Sequence, residues 1–365
     1  MRLVSVAACR PGMKLGKSIY NEDGRTLLSE NAELTEKILE RLNTYGIKYI
    51  YIQDSRTDDI VIEDILSDET RAMAMGLIRS TFRQLMGVSG KRKLAGALHL
   101  EKTFSQLLNA VIDDLSNHKE AMIMLMNMNA SDYYLYQHSL NVCVYSTLLG
   151  MANGYGRDEI QALSLGALLH DIGKTQINQK VLNKPGKLTD AEYKEVQRHA
   201  ELGYYMLKDE PNIPLISAHC AYQHHERLDG SGYPRGIQGG EIHEYAKLIG
   251  LVDVFDAMTS HRVYRPAMLP HQAIESIYTG SGTLYSKELI ELFRDKIAFY
   301  PLGLSVRLST GEQGVVVDIN SSFPQRPVVR ILQDAEGTDL TVPHEIDLSK
   351  KLSVMITDVD VLSSN

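Results

Sequence analysis

The chain has 365 residues, 44% hydrophobic and 23% charged, with a formal net charge of −8 and an isoelectric point near 5.9. This fits a folded soluble protein of two or three domains, each able to bury a core. The acidic balance excludes general binding to nucleic-acid backbone, which needs a basic footprint, but leaves room for a local basic pocket for a small phosphate ligand.

Three scattered cysteines, Cys9, Cys143 and Cys220, fit a reducing cytoplasm and no disulfide framework. Cys143 lies in an apolar helix, and Cys220 is read as a buried structural thiol. The longest apolar stretch, Leu140 to Ala152, contains Asn141, Ser146 and Thr147 and is too short to span a bilayer. Ser5 and Arg10 interrupt the apolar run after Arg2, which makes a poor signal peptide.

Residues 1–55 read as a small α/β module. Asp23 and Gly24 mark a turn, Leu34, Ile38 and Leu42 share a helical face, and Gly46 suits a helix stop. Lys48 to Ile52 alternates as a strand does, with Ile50 and Ile52 on one side. Residues 56–125 read as a helical connector broken near Gly87–Gly90. Met73, Met75, Leu77 and Ile78 are its first apolar set, and Phe104, Leu107, Leu108 and Val111 follow the i, i+3, i+4, i+7 pattern of one helical face. A dimerisation stalk and helices packed on the main domain are both compatible with it.

Residues 126–300 are strongly helical, with glycine and proline clustered at Lys184-Pro185-Gly186 and from Gly230 to Gly240. Residues 301–365 read as a small β-rich module. There Val306/Leu308, Val315/Val317/Ile319 and Val329/Ile331 alternate between Gly311, Gly314, Pro324 and Pro327.

The candidate chemistry lies in the helical block. His170-Asp171 ends the apolar stretch Ile160 to Leu169, and a buried acid there needs a partner. His138 precedes Leu140, Val142, Val144 and Leu148 and so faces inward. His199 lies on a helix that Thr189 can cap, with Asp190 and Glu192 in its first turn. His224 and His225 precede a glycine-rich turn, and Asp253 ends another apolar segment. Taken singly, each is more often a core, surface or capping residue. Together, five histidines and two aspartates suit two divalent transition metals, because imidazole favours Fe, Mn, Zn or Ni and carboxylate can bridge.

The pattern resembles the HD-GYP family, a branch of the HD phosphohydrolase superfamily. The likeness runs through His138-Ser139-Leu140-Asn141-Val142, His170-Asp171-Ile172-Gly173-Lys174, Leu182 to Leu188, and His199. It continues through His224-His225-Glu226, Asp229-Gly230-Ser231-Gly232-Tyr233-Pro234, Asp253-Val254-Phe255-Asp256-Ala257 and Arg262-Val263-Tyr264-Arg265. It covers roughly residues 126 to 295, about half the chain.

The resemblance implies a mainly α protein. Its all-helical HD-type phosphohydrolase domain would lie between a small N-terminal α/β module and a small C-terminal β module. It implies a bacterial, cytoplasmic enzyme that hydrolyses cyclic di-GMP to pGpG or GMP through a metal-activated bridging hydroxide. By resemblance one metal is held by His138, His170, Asp171 and Asp253, and the other by Asp171, His199, His224 and His225. Some members add a third metal through a glutamate four residues before the first histidine. Tyr134 stands there, so two metals are expected, with iron or manganese favoured by the family and zinc or nickel admitted by the ligands. Asp256 is expected outside the ligand set.

Two ions, two aspartates and a hydroxide would leave the centre with about one positive charge, a seat for a phosphodiester. Lys174, one helical turn from His170, is placed to stabilise charge on the phosphate or leaving oxygen. Arg262 and Arg265 can grip phosphate oxygens, and Asp132 is a candidate for substrate contact. Gly230 to Pro234, with Tyr233, is a tight loop. By resemblance it forms a rim of the active site and a surface for diguanylate cyclase (GGDEF) domains. A homodimer through the helical segment is a further expectation. Two rival readings are a phosphohydrolase of another cyclic dinucleotide or of ppGpp, and a non-catalytic cyclic di-GMP receptor. The full ligand set counts against a mononuclear ppGpp-type site and against a degenerate receptor.

Overall fold

The structure is a computed structural model. It describes residues 1–20, 26–45, 47, 49–61, 65–86, 100–117, 134–184, 186–260, 268 and 270–359. The expected turn at Asp23 and Gly24, the stop at Gly46, the strand start at Lys48 and the break at Gly87–Gly90 lie outside these residues. The chain is mainly helical, as expected. Among the described residues no helix is long and apolar enough to cross a membrane.

The chain divides into two compact units. One takes in the described residues of 1–65 and 294–365, and the other those of 66–119 and 133–293. In the first, β1 (Arg2–Ser5) pairs antiparallel with β4 (Tyr49–Ile52), and β2 (Ile19–Tyr20) with β3 (Thr26–Leu28). Thr35 caps α1 (Glu36–Thr44), its hydroxyl accepting from the Ile38 amide. The cap leaves Leu34 outside the helix, though buried, so the inward face of α1 is Leu39 and Leu42.

The C-terminal strands are β5 (Ser305–Leu308), β6 (Gln313–Asp318), β7 (Val328–Gln333), β8 (Asp339–Asp347) and β9 (Ile356–Val359). They form one antiparallel sheet in the order β8-β7-β6-β5-β9. The N-terminal strands serve two cores because strand side chains alternate between faces. Val4, Ile50 and Ile52 pack with Leu15, Leu39 and Leu42, whereas Leu3 and Tyr51 pack with Leu304, Val306, Val329 and Ile331 of the sheet. In β6 it is Val316 that joins that sheet core, while Val315 packs with Ile60 and Leu332 on the opposite face.

In the second unit α2 (Asp68–Met86) and α3 (Leu100–Asn117) pack on each other, and on α4 (Tyr134–Ala152) and α5 (Arg157–Leu169). Phe104, Leu107, Leu108 and Val111 are buried as their spacing predicts. On α2 the inward set is Ala74, Met75, Ile78, Phe82 and Leu85, with Met73 exposed. The remaining helices are α6 (Gln179–Leu182), α7 (Asp190–Leu207), α8 (Leu215–Gln223), α9 (Glu244–Thr259), α10 (Pro270–Tyr278) and α11 (Lys287–Lys296). α4 is mostly apolar, has no polar face and buries its polar side chains too, among them His138, Ser139, Asn141, Ser146 and Thr147, consistent with a central helix. It packs against α5 and α9, while α7 packs on α8 and on the 3₁₀ turn Ile172–Gln176.

In the first unit Arg330 donates to both oxygens of Asp59, each at 2.6 Å, and to Glu345 at 2.7 Å. These hydrogen bonds pull the Asp59 carboxyl down to about 2 from 3.8. A depressed acid contributes stability above its unfolded value and loses it as pH falls through the folded value. Arg330→Ala should therefore destabilise the protein at neutral pH by on the order of 1 kcal/mol, limited because Asp59 is largely solvent-screened. Urea denaturation should show the gap to wild type narrowing between about pH 4 and about pH 2. A gap constant with pH would show that the ion pair contributes nothing.

Candidate metal centre

The donors come from five helical elements. α4 carries His138, and the end of α5 and the following turn carry His170, Asp171 and Lys174. α7 carries His199, the end of α8 carries His224 and His225, and α9 carries Asp253. Two contacts without room for a side chain bring the elements together. A Cβ on Gly173 would lie 2.0 Å from the His199 carbonyl oxygen, and one on Gly250 would lie 2.4 Å from that of His224.

Asp171 is fully buried at the middle, and its two oxygens face different histidines. Oδ2 lies 3.5 Å from His138 Nε2 and 3.4 Å from His170 Nε2. Oδ1 lies 3.3 Å from His199 Nε2 and 3.9 Å from His224 Nε2. Asp253 closes the cluster. Its Oδ1 is 3.1 Å from His138 Nε2 and 3.9 Å from His170 Nε2, and its Oδ2 is 3.7 Å from His225 Nδ1. Two donor groups result, His138, His170 and Asp171 in one, and Asp171, His199, His224 and His225 in the other. Within each, the ligand atoms lie within 4.8 Å of one another.

Backbone hydrogen bonds settle the tautomers. His170 Nδ1 is 2.7 Å from the Ala167 carbonyl, His199 Nδ1 2.7 Å from that of Val196, and His224 Nδ1 3.0 Å from that of Ala221. A carbonyl only accepts, so each Nδ1 carries the proton, and in the neutral ring Nε2 presents a lone pair to the cluster. The buried His170 Nε2 has no hydrogen-bond partner among the described residues. His199 Nε2 and His224 Nε2 face each other at 3.3 Å. Two neutral rings with lone pairs opposed at that distance repel, and a cation between them turns the contact favourable.

The electrostatics agree. Burial pushes the His199 imidazole down to about 4, and holds His224 and His225 well below the ordinary range. These rings are therefore neutral at pH 7, as metal ligation requires. Burial would raise the Asp171 carboxyl, but the positive charge facing it, that of Lys174 first, outweighs burial and holds it well below the usual carboxylate range. Burial likewise opposes charge on His138, yet the hydrogen bonds with Asp253 and Asp256 lift it to about 9. Two carboxylates thus call for positive charge at that ring, which a divalent ion at Nε2 supplies as well as a proton does. The donor set, the partnerless His170 Nε2 and the opposed nitrogens all fit divalent metal ions.

Lys174 places its ammonium 2.5 Å from Asp171 Oδ2, at the edge of the cluster and partly exposed. Tyr233 lies against His225 with the rings tilted by 32° and their centroids 4.6 Å apart, and the Tyr233–Pro234 peptide is cis. Asp132, Arg262 and Arg265 lie outside the described residues, as does Pro185 of the Lys184-Pro185-Gly186 turn. For Tyr134 only the helical backbone is described.

Several supporting contacts were not expected from the sequence, although Glu226 and Asp256 belong to the motifs quoted above, and Asp256 stands outside the ligand set as expected. The Glu226 carboxylate accepts from the Arg235 and Ile237 amides at 2.9 and 3.2 Å, clasping the glycine-rich loop. Arg227 donates to the carbonyls of His224 and Glu226 at 3.1 and 2.8 Å. Asp256 accepts from His138 Nδ1 and from Asn141, each at 2.7 Å.

Comparison with known proteins adds a family. The HD domain family matches residues 102–289, and the family described as a KOW domain associated with HD domain matches residues 305–363. The first match takes in most of α3, and the second coincides with the five-stranded sheet. A cyclic di-GMP phosphodiesterase of Pseudomonas aeruginosa is 32% identical over 242 residues, 66% of this chain and 58% of that protein. A 3'3'-cGAMP-specific phosphodiesterase of Vibrio cholerae is 35% identical over 187 residues, 51% of this chain and 43% of that protein. A cyclic di-GMP phosphodiesterase of Thermotoga maritima is 35% identical over 196 residues, 53% of this chain and 52% of that protein. The chain thus spans about half the length of these relatives.

The close approach at Gly173 sets a test of the scaffold. Gly173→Ala must push the 3₁₀ turn away from α7 and should cost about 1–3 kcal/mol or more. Thermal denaturation should show a lowered midpoint, and an unchanged midpoint would show that the approach does not constrain the turn.

Proposed function

This chain belongs to the HD domain family, and within it we propose that the chain is a metal-dependent phosphodiesterase that hydrolyses cyclic di-GMP to pGpG or GMP. The observation that carries the reading is the division of Asp171, with one oxygen toward His138 and His170 and the other toward His199 and His224. That geometry suits two ions sharing one carboxylate. His138, His170, Asp171 and Asp253 would hold one, and Asp171, His199, His224 and His225 the other. The pair of ions would supply Lewis acidity and a nucleophilic water at neutral pH.

The chain's own groups do the rest. The backbone carbonyls of Ala167, Val196 and Ala221 hold three rings with Nε2 inward. Lys174 presents an ammonium where a phosphate oxygen or leaving alkoxide gains charge. Arg262, Arg265 and Asp132 are assigned to the substrate, and Tyr233 to the rim beside His225. We assign the catalytic domain to residues 126–300, with iron or manganese as the resident metal. The Gly232-Tyr233-Pro234 loop is assigned as a surface for diguanylate cyclase domains, a homodimer as the assembly, and the bacterial cytoplasm as the location. A second reading, hydrolysis of 3'3'-cGAMP, draws on the Vibrio relative named for that substrate.

The metal-loaded protein should convert cyclic di-GMP to pGpG or GMP, with 3'3'-cGAMP and cyclic di-AMP assayed alongside. If cyclic di-GMP stayed intact while a control enzyme turned it over, the proposal would fail. Preferential turnover of 3'3'-cGAMP would select the second reading. Asp171→Ala should lose both ions by metal analysis, and two ions retained per chain would refute the shared carboxylate. Lys174→Ala should bind both ions and lower kcat by about 10²–10³-fold, as loss of one charge-stabilising donor does. An unchanged kcat would remove Lys174 from the chemistry.

A further inference from the structure

The histidines of the centre are not held alike. His170, His199 and His224 turn Nδ1 to backbone carbonyls, whereas His138 turns Nδ1 to the carboxylate of Asp256 at 2.7 Å. Asp256 is itself buried, and its other oxygen accepts from Asn141 Nδ2 at 2.7 Å. Ser260 donates to Oδ2 at 3.2 Å. Asp253 and Asp256 stand three apart on α9, so neighbouring positions of one helix engage opposite nitrogens of one ring. Asn141 stands three residues after His138 on α4, so the same carboxylate joins the two helices.

We propose that Asp256 is a positioning residue for His138, and that it makes the ion position served by His138 and His170 stronger than the one served by His199, His224 and His225. A carboxylate acceptor fixes the proton on Nδ1 and holds the ring against rotation. It also makes Nε2 a better donor than a backbone carbonyl does, because the acceptor is charged. Asn141 and Ser260 act through Asp256 by holding its carboxylate against His138 Nδ1. The inference rests on the reading of His138, His170, Asp171 and Asp253 as the holders of one ion.

The test is calorimetric titration of the full-length, chelator-stripped protein with Mn²⁺, with metal content and thermal denaturation measured in parallel. In wild type two classes of site should differ in affinity. Asp256→Asn should weaken the tighter class by about 10–100-fold and leave the other unchanged. Asn141→Ala and Ser260→Ala leave the carboxylate in place and should weaken the same class by less. They carry the test if Asp256→Asn does not fold. His138→Ala should abolish that class. A merely structural role would lower the melting midpoint without singling out one class. Wild-type affinities in all three supporting variants, or equal weakening of both classes, would overturn the proposal while His138→Ala still lost one ion. Two ions retained in His138→Ala would instead overturn the ion assignment beneath it.

Discussion

One buried carboxylate organises the helical unit. Asp171 sits with no exposure among four imidazoles, where an ionised acid is expensive unless positive charge surrounds it. Lys174 provides some of that charge, and divalent ions between the carboxylate and the rings would provide the rest. Every other feature of the centre reads as a way to hold neutral imidazoles at the distances this carboxylate demands. Carbonyls three residues earlier fix the rings of His170, His199 and His224, a device available only because these histidines sit on or at the ends of helices.

The scaffold achieves this by close approach. Gly173 and Gly250 let the turn after α5 touch α7, and α9 touch the end of α8, so donors from elements far apart in sequence converge within a few ångströms. α4 is mostly apolar, with no polar face, because it is enclosed by its neighbours. The same burial keeps His138 inside, where Asp253 and Asp256 grip it from two sides.

The first unit follows a different logic. Its strands β1 and β4 bury both faces, one against α1 and one against the C-terminal sheet, so residues as far apart in sequence as Leu3 and Ile331 share a core. Leu3 donates its amide to the Gly303 carbonyl at 2.7 Å, and Arg330 reaches Asp59 across the same boundary. The sequence shows two small modules with separate periodicities. Neither periodicity carries information about which module completes the other.

Much of the centre was legible in the sequence because metal ligation needs particular side chains. Histidines and aspartates at the ends of apolar helical segments are a local signal, and His138, His170, Asp171, His199, His224, His225 and Asp253 all carry it. The face of α3 was legible for the same reason, its 3.6-residue period being a local property. The start of α1 moved because Thr35 outcompeted the apolar spacing that began at Leu34. In β6 Val315 and Val317 share a face as their alternation implies, but three successive valines carry no signal that Val316 is the one that meets the core of Leu3 and Tyr51. Tertiary structure alone decided the split of Asp171 between two histidine groups, the clasp of Glu226 on its loop, the clamp of Asp256 on His138 and the shared core of the two ends. Each depends on distances between segments remote in sequence, and residue type and spacing do not encode those distances locally.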